Sequence, residues 1–216
     1  MASSRNPRSR SVSSGAALPI PEGRWQGRRR NPATARAILT ATLALLDSRG
    51  VGYRGLTMRA VAERAGVSTA TLYRWWPSRN HLVLDAYRSR SARDISAHVT
   101  GDLRADLVAH LGHLAFMLNS PPEARTLAEI IVAAADDPAF GTLFRDTLLR
   151  ERRQAVLDVL AAGVERGEVP RTSDLGVAVD VAFGALHHRL LLTGDPIDGP
   201  FVTALADIVI SGITSG

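Results

Sequence analysis

Apolar side chains recur along this chain at the three-and-four spacing of helices, and no stretch alternates long enough to build a sheet. Ile38, Leu39, Thr42, Leu45 and Leu46 trace a first helix that ends near Gly50. Asn31 stands at its start as a cap, with Pro32 at the first helical position. Val51–Gly55 reads as a loop, followed by two short helices at about Thr57–Ala65 and Ser68–Trp75. Pro77 breaks the pattern and Ser78 caps a fourth helix from Arg79 to about Ala97, long enough to leave one domain and reach the next. After Gly101 the breaks at 120–122, 136–138, 167–173 and 194–200 delimit five more helices. These are Asp102–Asn119, Glu123–Ala135, Phe140–Arg166, Asp174–Thr193 and Phe201–Gly212. The chain is expected to be all-α with about nine helices, and it holds no repeat of solenoid length.

The most informative stretch is Leu56–Leu82, LTMRAVAERAGVSTATLYRWWPSRNHL. Thr57 is placed to cap one helix, with Leu56 ahead of it stapling onto Val61; Ser68 caps the next, with Val67 stapling onto Leu72. Gly66 supplies the tight conformation between them. Helix, three-residue turn and helix form the helix-turn-helix layout, whose second helix lies in the DNA major groove. In that helix Thr69, Ala70, Tyr73 and Arg74 should face outward and Leu72 the core. Arg74 suits bidentate pairing with guanine O6 and N7, and Thr69 and Ala70 suit a thymine methyl. Ser68 and Thr71 complete the set expected at the DNA. Thr57 and Arg79 sit at helix N-termini, where phosphates are favoured.

The segment AGVSTATLYRWWPSR at Ala65–Arg79 resembles the signature of TetR-type transcriptional regulators: a Gly-Val-Ser turn, Thr-Leu-Tyr, an aromatic pair and a loop ending on a basic residue. The similarity covers Arg30 to roughly Arg90 and extends weakly to Arg166–Asp198. It implies that Tyr73 is the recognition tyrosine, that Thr57 holds phosphate and that Arg79 is the basic residue opening helix four. Arg79-Asn80 replaces the commoner Lys and acid, which keeps the charge, and Trp75-Trp76 replaces His-Phe. Trp76 is expected in the core; Trp75 either packs or touches the DNA backbone, and packing is favoured.

Charge sharpens this division. Residues 1–100 carry 17 Arg against 5 acids, a balance of +12, and residues 101–216 carry 9 Arg against 16 acids, a balance of −7. A basic half joined to an acidic one is the footprint of a protein that brings one end to a polyanion. Three parts are expected: an Arg- and Ser-rich disordered arm (1–29), a DNA-binding domain with its linking helix (30–97), and a helical domain (98–216) that the resemblance implies is for effector binding and dimerisation. Arg28, Arg29 and Arg30 either reach the DNA backbone or minor groove, or serve as a solubilising tail. The chain has no Cys, which suits a reducing cytoplasm and excludes disulfides and thiolate metal sites. No apolar run is expected to approach the ~20 residues of a membrane span.

One helix-turn-helix unit makes too small an interface for tight binding, so two copies on a palindrome are expected. The stripes Leu175, Val179, Phe183, Leu186 and Leu190, and Phe201, Leu205, Ile208 and Val209, either close the domain's own core or meet a second copy. The resemblance implies a four-helix dimer bundle, and the contact residues expected are Val179, Phe183, Leu186, Leu190, Phe201, Leu205 and Ile208. It also implies a small-molecule effector, with His110, Leu114, Met117, Phe140, Phe144 and Phe183 as candidate lining residues. Asp106, His110 and His113 share a helix face at metal-ligand spacing but lack a fourth ligand, and His187 and His188 cannot face the same way. No metal or cofactor is expected. A phosphate loop, a nucleophile elbow and a zinc-type His pair with Glu are absent from the sequence. The reading is a dimeric regulator, most simply a repressor, with an architectural DNA-binding protein and a small helical enzyme as the alternatives.

Overall fold

A computed structural model of the chain describes residues 31–91 and 100–214; the expected arm (1–29), Arg30 and the end of the fourth helix up to Ala97 lie outside them. Among the described residues the regular structure is helical, without a strand. The helices are α1 (Pro32–Asp47), α2 (Met58–Ala65), α3 (Thr69–Trp75), α4 (Arg79–Ser91), α5 (Leu103–Leu118) and α6 (Pro121–Asp136). α7 is built of Pro138–Phe144, a π-turn at Arg145–Leu149 and Arg150–Glu165. α8 (Leu175–Thr193) ends in a second π-turn at Arg189–Thr193, and α9 is Gly199–Thr214.

Local chemistry starts most of them. Asn31 accepts the Ala33 N–H, Thr57 that of Ala60, Ser68 that of Thr71 and Asp102 that of Ala105. Asp137 and Asp174 do the same for α7 and α8. These bonds satisfy N–H groups that have no partner inside the helix. Gly66 ends α2 at φ 66°, a left-handed conformation that a side chain disfavours, and lets the Val67 N–H reach back to the Ala62 carbonyl at 3.0 Å. Pro121 and Pro138 open α6 and α7 rather than breaking the chain, so both helices begin two residues earlier than the apolar pattern suggests.

Val51–Gly55, expected as a loop, contains a single helical turn at Gly52–Gly55. The Gly52 N–H reaches back to the Ser48 carbonyl, but the next is satisfied from far away: the Tyr53 N–H donates to the Glu129 carboxylate of α6 at 2.7 Å. Gly52 has φ 57°, and a Cβ there would lie 3.0 Å from a Glu129 oxygen, so conformation and space both call for glycine.

The N-terminal core gathers Ile38, Leu46, Leu56, Val61, Leu72, Trp76 and Leu82, all essentially buried. At about 1.5–3 kcal/mol per large apolar side chain, this burial dominates the stability of the three-helix unit. α1 packs on both α2 and α4. In the C-terminal domain α5 lies against α7 and α9, and α8 packs on the same two helices.

The domains are joined by ion pairs as well as packing. Arg90 of α4 holds both Asp47 carboxylate oxygens at 2.9 Å and Glu123 at 3.3 Å. Arg125 of α6 donates to the last carbonyls of α1, Leu46 and Asp47, where a cation is favoured by the helix dipole. Arg88 donates to Glu151 of α7 at 2.6 Å.

One expectation is corrected here. α8 is 19 residues and apolar enough, by length and composition, to cross a membrane, whereas no run of that length was anticipated. The reason is that Asp180, the two histidines and Arg189 dilute the run without reversing its average. The helix is not one-sided, because Val179, Phe183 and Leu186 are buried while Val177, Val181 and Leu192 are exposed. This bears on the contact residues expected with a second copy. Val179, Phe183, Leu186 and Leu205, expected on a face shared with another copy, lie inside their own subunit at 0–7 % exposure. Helix periodicity cannot choose between two apolar sides; α7 and α9 took the more continuous one.

Candidate nucleic-acid interface

α3 presents four side chains outward. Thr69, Ala70, Tyr73 and Arg74 are exposed, Tyr73 by 56 %, while Leu72 on the opposite side is completely buried. Leu72 and Trp76 therefore clamp the helix from behind and leave its outer face free to enter a groove. The Ser68 hydroxyl accepts the Thr71 N–H and lies 3.0 Å from the Thr71 hydroxyl, so these two side chains first build the helix start. The Arg74 guanidinium stands 5.8 Å from the centre of the Trp75 ring, which limits where its fork can swing.

Trp75 and Trp76 meet edge-on with centres 5.9 Å apart. Trp76 is 2 % exposed and its indole N–H donates to Asp85 of α4 at 2.8 Å. Trp75 is half-buried against the core.

Thr57 is exposed at the start of α2 with its hydroxyl oxygen in the cap. Arg79, at the start of α4, is half-buried and turned inward: its guanidinium lies over the Tyr53 ring, 4.6 Å from the centre, and donates to the Leu56 carbonyl at 3.4 Å. The Tyr53 hydroxyl donates to the Asn80 side-chain oxygen at 3.1 Å. Burial pushes the Tyr53 hydroxyl above its usual range, and the Arg79 charge pulls the other way. Tyr53 was not anticipated because it sits in a segment without periodicity; the only local signal is a large aromatic between two glycines.

The residues expected around an effector do not share one environment. Leu114, Met117 and Phe183 are buried, and His110 and Phe144 are half-buried. Burial holds the His110 imidazole below its usual range, with His113 adding to the effect. Phe140, expected among the lining residues, instead stacks on Tyr53 of the other domain, with centres 5.8 Å apart and planes 4° from parallel. The short first segment of α7 points it at the domain junction, which its spacing from the other candidates did not reveal. An open groove along α7 is lined by Arg145, Leu149, Arg150, Arg153 and Leu157 among others, and by none of the expected effector residues.

A different polar centre appears where α4 meets the C-terminal domain. Arg152 of α7 is only 7 % exposed, and its guanidinium lies 5.2 Å from the centre of the buried Tyr87 ring. Burial lowers the affinity of His187 for a proton, and the charge of Arg152 lowers it further. Phe183 lies beside His187, ring centres 6.0 Å apart.

Asp106 does not act with His110 and His113. Its carboxylate accepts both the N–H and the hydroxyl of Thr100 at 2.6 Å. Burial alone would raise its pKa, but these bonds outweigh it and hold the carboxyl below the usual range. His187 is half-buried and His188 exposed, on different sides of α8. Among the described residues no three His, Asp or Glu side chains cluster as metal ligands would.

Known proteins resemble this chain in sequence and fold. Residues 38–86 match the family described as bacterial regulatory proteins, tetR family, and residues 98–209 match the tetracyclin repressor-like C-terminal domain. An uncharacterized HTH-type transcriptional regulator of Bacillus subtilis (strain 168), YdeS, is 31% identical over 87% of this chain and 93% of its own length. The DNA-binding transcriptional repressor TetR of Mycobacteroides abscessus is 30% identical over 84% of this chain and 94% of its own. The crystal structure of the TetR family transcription regulator SCO0332 superposes with a TM-score of 0.73 at 36% identity, covering 83% of this chain and 98% of that one. With a helix-turn-helix whose outer face is free and a helical C-terminal domain matched over most of its length, this chain belongs to the TetR family of transcriptional regulators.

Proposed function

We propose that this regulator is a homodimeric repressor that binds an inverted repeat and is released by a small-molecule effector. The observation that supports it most is the α3 face: Thr69, Ala70, Tyr73 and Arg74 are exposed together on a helix anchored by Leu72 and Trp76. Arg74 reads a guanine edge, Thr69 and Ala70 meet a thymine methyl, and Tyr73, Thr57 and Arg79 engage phosphates. The similarity to a relative described as a repressor supports the sign of regulation.

The second copy docks on the outer side of α8 and α9, where Val177, Val181, Leu191, Leu192 and Ile208 are exposed. The effector binds in the C-terminal part of the protein, and the buried cluster of Arg152, Tyr87, His187 and Phe183 is the region that such binding would disturb first. Binding there biases a two-state position of α4 and changes the separation of the recognition helices relative to half-sites about one helical turn apart.

The test is binding to sequences selected from a random DNA pool. Arg74→Ala should cost about 1–3 kcal/mol and relax specificity at one position of each half-site. Arg79→Ala should weaken all sequences alike and lower the salt dependence, because it removes a phosphate contact. Equal loss on selected and random DNA for Arg74→Ala would remove its readout role. A wild-type protein with no preference for a palindrome over bulk DNA would instead favour an architectural role.

A further inference from the structure

Tyr53 stands where the two domains and the phosphate-facing start of α4 meet, and each part of it is used. Its N–H donates to Glu129 at 2.7 Å, its ring stacks on Phe140, the guanidinium of Arg79 lies over the same ring, and its hydroxyl donates to Asn80. Glu129 and Phe140 belong to α6 and α7 of the C-terminal domain, whereas Arg79 and Asn80 open α4. The Tyr53 residue is 4 % exposed while Arg79 is half-buried, so the guanidinium sits at the edge of the interior, where a partly desolvated ring face attracts it more strongly than in water.

We infer that Tyr53 is the positioning residue for Arg79, holding its guanidinium ready for a DNA phosphate, and that Glu129 and Phe140 of the C-terminal domain set the position of Tyr53. This rests on the reading of Arg79 as a phosphate contact. An arginine free in solvent gives up rotamer entropy when a phosphate immobilises it. Lying over the Tyr53 ring, Arg79 has already given up most of it on folding, so the phosphate contact costs less. The arrangement also joins the effector domain to the DNA surface through two side chains. A shift at the α6–α7 corner that moves Phe140 or Glu129 tilts the ring, and the guanidinium follows.

The experiment compares the full-length protein with Tyr53→Phe, Tyr53→Leu, Phe140→Leu, Arg79→Ala and the double variants Tyr53→Leu/Arg79→Ala and Phe140→Leu/Arg79→Ala. Each is titrated with a random-sequence DNA duplex across a range of salt concentrations, with thermal melting to follow stability. Arg79→Ala should weaken binding and reduce the salt slope by about one per subunit. Tyr53→Leu should weaken binding about threefold to tenfold and lower the salt slope, but cause no further loss once Arg79 is alanine. Tyr53→Phe keeps the ring and should bind like the wild type, and Phe140→Leu should show a smaller loss that also vanishes in the Arg79→Ala background. Losses of equal size in both backgrounds would mean that Tyr53 only stabilises the domain, and would overturn the inference. Loss with Arg79→Ala but none with Tyr53→Leu or Phe140→Leu would overturn the positioning alone. An inert Arg79→Ala would remove the phosphate reading and the positioning with it. Should Tyr53→Leu fail to fold, Phe140→Leu carries the same comparison with the same two outcomes.

Discussion

Replacing Trp76 with alanine is expected to lower stability by about 3–5 kcal/mol, the range for truncating a buried aromatic, and to abolish DNA binding. Trp76 fills the angle between α3 and α4 at 2 % exposure and ties the two together through its indole N–H bond to Asp85. Asp85 in turn lies 3.7 Å from Arg88, which pairs with Glu151 of α7, so one residue at the end of the recognition helix begins a polar path into the other domain. Truncation opens a cavity that neighbours cannot close without rotating α3, and leaves Asp85 without its indole donor. Trp76→Phe separates these effects: most of the packing survives, and losing the hydrogen bond should cost about 1 kcal/mol. Urea unfolding followed by circular dichroism measures both. A Trp76→Ala loss no larger than that of the half-buried Trp75→Ala would show that α3 is held by something else.

Introducing arginine at Val181 and Ile208 together should turn a dimer into a monomer and reduce affinity for a palindromic site by about a hundredfold to ten-thousandfold, the usual gain from linking two binding units. Both side chains are well exposed in the subunit, at 45 % and 63 %, so the substitutions remove no core contact and the melting temperature of the subunit should change little. In a dimer they would place like charges inside an apolar interface, where each unpaired guanidinium is costly to desolvate. Sedimentation gives the mass, and titration with a single half-site, whose affinity should hardly change, isolates the loss to the linkage. An unaltered dimer would move the contact surface away from α8 and α9. Phe201 is a useful control: it is half-buried, with Arg189 lying 3.6 Å from its ring centre, and so serves its own subunit first.

Features governed by neighbours in the chain were legible in the sequence. The caps at Asn31, Thr57 and Ser68 act over two or three residues, and the left-handed turn at Gly66 depends on one missing side chain. The inward Leu72 and outward Tyr73 and Arg74 follow from the position of each on a single short helix with one apolar side. The burial of Trp76 was readable too, because an aromatic residue that closes a short helix just before a proline falls on the side that continues the core.

Other features were decided by segments far apart in the chain. Tyr53 and Glu129 are separated by 76 residues, and nothing near Tyr53 announces its partner. Phe140 carries the same helical spacing as its neighbours, yet the start of α7 aims it at the N-terminal domain. Arg152 reads as one of several arginines in a charged run, and only packing shows that it is buried beside Tyr87.

By itself the sequence determined that the chain is helical, that one half is basic, and that α3 turns Arg74 and Tyr73 outward, since all of these depend on local geometry and on the count of charges. Only the tertiary structure decided which apolar side of α8 is core, and that Arg79 lies over Tyr53 rather than out in solvent. A helix apolar on two sides, and an arginine able to reach water or a ring, each have two local solutions of similar energy. The partners that choose between them come from elsewhere in the chain.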